Sequence, residues 1–347
     1  MLESIRNNLV GGRGNDRLTR GMLGVALALA ASAAIVRWRT RRTEKANPPQ
    51  GRFVEVDGVQ LHYVERGEGQ PLVLLHGNGT MIQDFGVSGL IDLASKRYRV
   101  VVFDRPGYGY SDRPPTTVWT PVAQARLIQR ALRELGVERP IVLGHSWGTQ
   151  VALSLALEYP SYVRSLVLLS GYYFPTLRPD VAVLSGPAIP VIGDVLRHTI
   201  SPWLGRLMWP GLMRIMFGPG PMPARFNAFP MWMALRPSQI RASAAESALL
   251  VPGARALSQR YAELTMPVII MAGVEDRFVN ADRHSARLHE EIRHSELILT
   301  PGAGHMIHQL VPEQVMSAID KARDALPTQS GTQGSRLPSV TDTLHAA

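Results

Sequence analysis

The 347 residues carry 37 lysines and arginines against 28 aspartates and glutamates, a formal net charge of +9, and 45% hydrophobic residues. That apolar content supports a packed core and excludes a largely disordered chain. No cysteine is present, so disulfides, thiolate chemistry and cysteine-held metals are excluded.

The first distinct segment is Gly21 to Val36, uncharged and almost wholly apolar, with arginines on both flanks. As a helix it would span about 24 Å at ~1.5 Å per residue, against a hydrocarbon core of about 30 Å. Snorkelling arginines and an interfacial Trp38 would close the gap. Residues 1–51 are therefore read as a basic, apolar anchor plus a linker around Asn47-Pro48-Pro49, and residues 21–36 predict membrane association. A cleaved signal peptide is the main alternative, because Ala31-Ser32-Ala33 fits a small-x-small cleavage site; a soluble amphipathic helix is the other. The slightly richer basic flank after the segment places the body of the chain on the cytoplasmic side.

From Arg52 to Val64 the pattern alternates around Asp57-Gly58 and predicts a β-hairpin. Near-continuous apolar runs follow near 72–75, 100–103, 141–144, 166–170, 268–271 and 296–299. Such runs suit parallel strands covered on both faces. Helical patterns intervene at 121–135, 147–158 and 312–324, and strand–helix alternation implies right-handed crossovers. The stretch between the fourth and fifth of these runs is too long for a plain crossover, so 172–260 is read as a helical cap between the two parts of the core, 52–171 and 261–326. Residues 327–347, rich in Ser, Thr, Gly and Pro, are expected to be a disordered tail.

Gly144-His145-Ser146-Trp147-Gly148 lies between the run Ile141–Leu143 and the helix that opens at Thr149. A serine on a sharp strand–turn–helix apex gains nucleophilicity if a base and backbone donors stand beside it. Gly144 and Gly148 would let strand and helix approach closely. Asp276 falls just past the strand 268–271, and His305 lies in the glycine-rich loop after 296–299. In a parallel sheet all C-terminal strand ends share one edge, so Ser146, Asp276 and His305 are expected to converge. The oxyanion hole is assigned to the N–H groups of Asn78, after the strand 72–75, and of Trp147, at a helix N-terminus.

These motifs resemble the α/β-hydrolase superfamily over roughly residues 52–325. The resemblance includes Asp104-Arg105-Pro106-Gly107-Tyr108-Gly109-Tyr110-Ser111, similar to the segment after the fourth strand in the branch that holds esterases, proline iminopeptidases, cofactor-free haloperoxidases and epoxide hydrolases. It implies an α/β fold, a mostly parallel sheet flanked by helices with a helical cap and here an added N-terminal apolar helix. It also implies a Ser-His-Asp triad. Epoxide hydrolases and haloalkane dehalogenases carry aspartate at the elbow; this chain has serine, which suits attack on a carbonyl.

Other candidates for each role are kept in view. His308 competes with His305, and Glu275 and Asp282 compete with Asp276. His145 is read as structural, His76 as a hydrogen-bonding member of the oxyanion loop, and Asp104 as a loop staple. Gly77, Trp209, Met213 and Trp232 are the expected substrate contacts, methionine and aromatic side chains making an adaptable apolar wall. The cap offers only Asp180, Asp194 and Glu246 against nine arginines, which disfavours an ammonium-bearing peptide substrate. The expected activity is hydrolysis of a small to medium, largely apolar carboxylic ester. C–C bond hydrolysis, perhydrolysis and aminopeptidase activity use the same triad, and a ligand-binding protein on this fold is the non-enzymatic alternative. No metal-ligand spacing, phosphate loop or basic aromatic stripe appears, so no metal, cofactor or nucleic-acid partner is expected. Oligomeric state is not legible.

Overall fold

The computed structural model describes residues 2–325, with side chains from Leu18 onward; the tail expected at 327–347 lies outside them. In chain order the elements are α1 (Leu2–Ala46), β1 (Arg52–Val56), β2 (Val59–Arg66), β3 (Gln70–Leu75), α2 (Ile82–Val87), α3 (Leu90–Ala94), β4 (Tyr98–Phe103), α4 (Pro121–Glu134), β5 (Ile141–His145), α5 (Gly148–Glu158) and β6 (Ser165–Leu169). Five helices then intervene: α6 (Pro179–Leu184), α7 (Ile192–Thr199), α8 (Ser201–Phe217), α9 (Met231–Ala234) and α10 (Pro237–Ser258). The chain returns through β7 (Val268–Gly273), α11 (Arg287–Glu291), β8 (Glu296–Thr300), α12 (Ile307–Leu310) and α13 (Pro312–Asp324).

The eight strands form one sheet in the order β1-β2-β4-β3-β5-β6-β7-β8. β1 pairs with β2 and β2 with β4 antiparallel, and every later pairing is parallel. The sheet is apolar on both sides because alternate residues face opposite layers. Val73 and Leu75 join Ile128, Leu132, Val151 and Leu155 of α4 and α5. Leu72 and Leu74 join Phe85, Leu90, Val315 and Ile319 on the other face. α4 starts where sequence logic puts it: Thr120 Oγ1 accepts from Ala123 N at 3.1 Å, with Pro121 in the first helical position.

The N-terminal helix is longer than the apolar run from which it was predicted. It continues through Arg37–Ala46 because nothing there breaks a helix until Pro48. Between Leu18 and Ala46 it is long and apolar enough to cross a membrane, and little of that span is buried. Such a helix serves equally as an anchor or a signal sequence.

Candidate active site

The strand order decides what meets at the sheet's C-terminal edge. β3 lies between β4 and β5, so the chain reverses its direction of travel across the sheet there, and ligands bind at such switch points. Leu75 is in register with Gly144, which puts the His76-Gly77-Asn78 turn beside the turn at Ser146. Gly273 is in register with Thr300, so the loops bearing Asp276 and His305 leave the sheet side by side.

Ser146 has φ of 52°, the left-handed region that only a forced turn imposes on serine. The flanking glycines are required by space. A Cβ on Gly144 would lie 2.6 Å from the Gly148 carbonyl oxygen, and one on Gly148 would lie 2.2 Å from the Leu75 carbonyl oxygen. The Ser146 N–H donates to the Leu169 carbonyl at 2.9 Å, fixing the apex to β6.

His305 Nε2 is 2.9 Å from Ser146 Oγ, and His305 Nδ1 is 2.7 Å from Asp276 Oδ2. All three side chains are buried or nearly so. With Nδ1–H donating to the carboxylate, the Nε2 lone pair faces the serine hydroxyl. The other carboxylate oxygen, Asp276 Oδ1, accepts from the Phe278 and Val279 N–H groups, each at 2.8 Å. Phe278 packs edge-on against the His305 ring at 5.0 Å.

The competitors for these roles sit elsewhere. Glu275 accepts from Gly302 N, Asp282 is exposed, and His308 is buried against Asp84 at 3.1 Å. Among the described residues, neither the Asn78 nor the Trp147 N–H has a hydrogen-bond acceptor in the protein. Gly77 lies against Ser146: a Cβ at Gly77 would come within 3.2 Å of Ser146 Cβ. Asp104 staples its loop by accepting from Ile82 N and Tyr110 N, with His62 Nδ1 2.7 Å away.

The expected wall residues divide. Trp209 and Met213 pack on an apolar cluster of Met81, Phe217, Phe226, Phe229 and Met306. That cluster joins the oxyanion-side loop to the loop of His305, and Met306 N donates to the Met216 carbonyl. Trp232 turns the other way: its ring meets Trp203 at 5.8 Å, and the Arg39 guanidinium of α1 lies 4.7 Å from it. The reason is that α9 packs on α1, a contact the sequence did not reveal.

Two buried polar groupings were also missed. Arg105 and Glu246 are both wholly buried and joined by two hydrogen bonds, 2.5 and 3.0 Å. Arg105 also donates to the His76 and Gly77 carbonyls and to Gln124 Oε1. Burial pushes the Glu246 carboxyl up, but the Arg105 guanidinium outweighs it and holds the group below its ordinary value. The clue in the sequence was a lone carboxylate in an otherwise small and apolar helical stretch, Ala242 to Leu250. Glu246 is thereby neutralised, while Asp180 pairs with Arg178 and Asp194 with Arg197.

Behind His305 lies the second grouping: Asp84, His145 and His308, whose donor atoms fall within 4.8 Å of one another. These are the described residues whose donor set could hold a cation. Asp84 is engaged from inside the protein by His308 and by Gln309 Nε2 at 2.8 Å. Burial raises the Asp84 carboxyl, but His308 and Gln309 reverse this and hold it at about 2. His145 Nε2 reaches the His305 carbonyl at 3.1 Å, so this histidine supports the loop of His305 from behind.

Burial lowers His76 to about 4, helped by Arg105, and burial lowers His284 to about 4, helped by Arg178. Burial also drives His145 well below its ordinary value. In the unfolded chain these rings bind protons near pH 6.5. Stability is therefore complete above pH 6.5 and falls as pH drops towards 4, where the unfolded state gains protons the native state refuses. We expect urea midpoints to hold between pH 7 and 8 and to fall by pH 4.5, with a loss on the order of 2 kcal/mol for each of His76 and His284. A flat profile would contradict neutral burial.

Residues 70–191 match the family model for the α/β-hydrolase fold. The chain is 27% identical over 285 residues to haloalkane dehalogenase 2 of Mycobacterium tuberculosis, covering 78% of this chain and 94% of the relative. It is 25% identical over 307 residues to the cis-3-alkyl-4-alkyloxetan-2-one decarboxylase of Shewanella oneidensis, covering 85% and 94%. Among solved structures, an esterase from Exiguobacterium antarcticum superposes with a TM-score of 0.64 at 23% identity, covering 79% of this chain and all of that one. With its strand order, its glycine-flanked turn after β5 and these matches, the chain has the α/β-hydrolase fold, and residues 70–191 carry the match to that family.

Proposed function

We propose that this chain is a serine hydrolase that cleaves a largely apolar carboxylic ester through an acyl-enzyme. The single observation that carries the reading is the continuous hydrogen-bonded line Ser146–His305–Asp276, at 2.9 and 2.7 Å. As Ser146 Oγ attacks the carbonyl, His305 Nε2 takes its proton and Asp276 steadies the resulting imidazolium. The oxyanion is received by the N–H groups of Asn78 and Trp147. His305 then gives the proton to the departing alkoxide, so the alcohol leaves neutral. Water enters, loses its proton to His305, and releases the acid from the serine.

A dehalogenase reading, suggested by the name of one relative, needs a carboxylate to displace halide from an sp³ carbon. Ser146 does not supply one. The neutralised carboxylates at Glu246, Asp180 and Asp194 argue against an aminopeptidase. Between β6 and β7, the helices from α6 to α10 act as a cap, and Trp209 and Met213 with the cluster beneath them form the acyl-side wall.

The test is a panel of p-nitrophenyl esters of increasing acyl length beside 1-haloalkanes, using purified full-length protein. The expected result is ester turnover with a pre-steady-state burst, and an acyl mass adduct on the peptide bearing Ser146 after acid quench. Halide release without an ester burst would overturn the reading.

A further inference from the structure

α1 and the helices α7 to α9 are packed together, and the level of that contact along α1 carries a consequence. Ser32 Oγ donates to the Thr199 carbonyl at 2.6 Å and accepts from Trp203 Nε1 at 2.9 Å. Val36 is buried in the same junction. Both residues lie inside the uncharged stretch of α1, before its first following arginine, Arg37. If the arginines from Arg37 to Arg42 mark the headgroup level, Ser32 lies five residues deeper, about 7 Å at ~1.5 Å per residue. Whatever is bonded to Ser32 is then at the depth where interfacial helices sit, roughly 5–10 Å below the headgroups.

The surface around that contact is suited to such a place. Val183, Val191, Ile192, Leu204, Leu207 and Met208 are all more than half exposed, Val183 at 81% and Leu207 at 78%. Between Val181 and Met208 the charged residues are Asp194 and Arg197, which pair with each other, and the exposed Arg206, whose long side chain can snorkel to the headgroups. Pro179–Ala188 and Ile192–Thr199 are together apolar enough for a span but bent by 89°, so they do not form one straight span. A soluble protein rarely leaves so broad an apolar face open to water. Beside it, a cleft of about 770 Å³ between α1 and the insertion is lined by Arg37, Arg41 and Glu44 among others, and the two arginines stand at the level of anionic headgroups.

We propose that the helical insertion docks into the phospholipid bilayer alongside α1, with the outer faces of α6, α7 and α8 immersed in the acyl-chain boundary. The insertion that covers the sheet's C-terminal edge thereby opens towards lipid. Combined with the ester-hydrolase reading, on which this last step rests, the substrate is an amphiphilic acyl ester taken from the membrane.

The chain has no cysteine, so single probes can be placed cleanly. Val183→Cys, Leu207→Cys and, as control, Glu134→Cys at the exposed end of α4 on the opposite sheet edge are labelled with a polarity-sensitive fluorophore. Full-length protein is reconstituted into phosphatidylethanolamine/phosphatidylglycerol vesicles, with or without acyl-brominated phosphatidylcholine. The expected result is a blue shift and at least twofold bromine quenching at positions 183 and 207, and neither at 134. Water-like emission at 183 and 207 would overturn the proposal. So would a blue shift that bromine leaves untouched and dilution abolishes, which would identify a second copy of the chain as the occupant. In the second arm, Val183→Glu with Leu207→Glu should lower turnover of a long-chain ester embedded in vesicles about tenfold. Turnover of a soluble short-chain ester should stay within twofold. Equal rates of the variant on the embedded ester would count against docking. Absence of soluble-ester turnover in the unsubstituted protein would instead defeat the hydrolase reading and leave the fluorescence result standing.

Discussion

Ser146→Ala should lower ester turnover by about 10⁴-fold or more and abolish labelling by a fluorophosphonate, while the thermal midpoint stays within a few degrees. The size follows from the way the residues act as one unit. Without the hydroxyl, His305 has no proton to take and Asp276 no imidazolium to steady. What remains is whatever binding and the Asn78 and Trp147 donors contribute. The fold should tolerate the change because the Ser146 backbone, not its side chain, is tied to β6, and alanine keeps a Cβ in the same strained turn. The comparison uses near-infrared or mass readout of the probe beside initial rates on one ester. Labelling retained at another residue would sink the assignment of the nucleophile.

Glu246→Ala should destabilise the protein by about 3–5 kcal/mol, the largest stability effect we expect of any single polar side chain outside the triad. It strands Arg105, whose guanidinium is wholly buried and has no route to water. The loss should spread beyond α10, because the same arginine holds the His76 and Gly77 carbonyls and so the turn that presents the Asn78 N–H. Tyr108 Oη and Gln124 Nε2 lose an acceptor as well. The measurement is urea unfolding at pH 7.5. A double variant, Arg105→Met with Glu246→Leu, should recover much of the deficit, since a buried ion pair is commonly replaceable by apolar groups of like volume. If the single variant unfolds at the unsubstituted midpoint, the pair does not carry the load assigned to it.

The sheet was legible because parallel strands buried on both faces write themselves as apolar runs, and those near 72–75, 100–103 and 141–144 fall within β3, β4 and β5. Convergence of residues as distant as Ser146 and His305 was legible for one reason: the ends of parallel strands share an edge. The elbow glycines were legible as well, because close approach of backbones leaves no other residue type. The buried partnerships were not. Arg105 and Glu246 are 141 residues apart, and no local period signals a pair made by a helix folding back over the sheet. Trp232 was misjudged for the same reason, since its neighbours Trp203 and Arg39 come from segments whose mutual packing is settled only in three dimensions. The length of α1 was underestimated because apolar content was taken as the marker of helix, whereas Arg37–Ala46 are polar yet perfectly good helix formers.

His305, the base in the proposed mechanism, follows β8, the outermost strand of the sheet, which is paired on one side alone and half open to solvent. The serine, by contrast, stands on an interior strand, walled in on both flanks. Thermal fraying begins at such borders and works inward. If His305 is the base, activity should be lost on warming or in mild denaturant before the centre of the sheet unfolds, which activity and far-ultraviolet circular dichroism followed together would show. Reinforcing that margin, for instance around the Lys321–Glu296 contact that straps it to α13, would extend working life without touching a single reacting group.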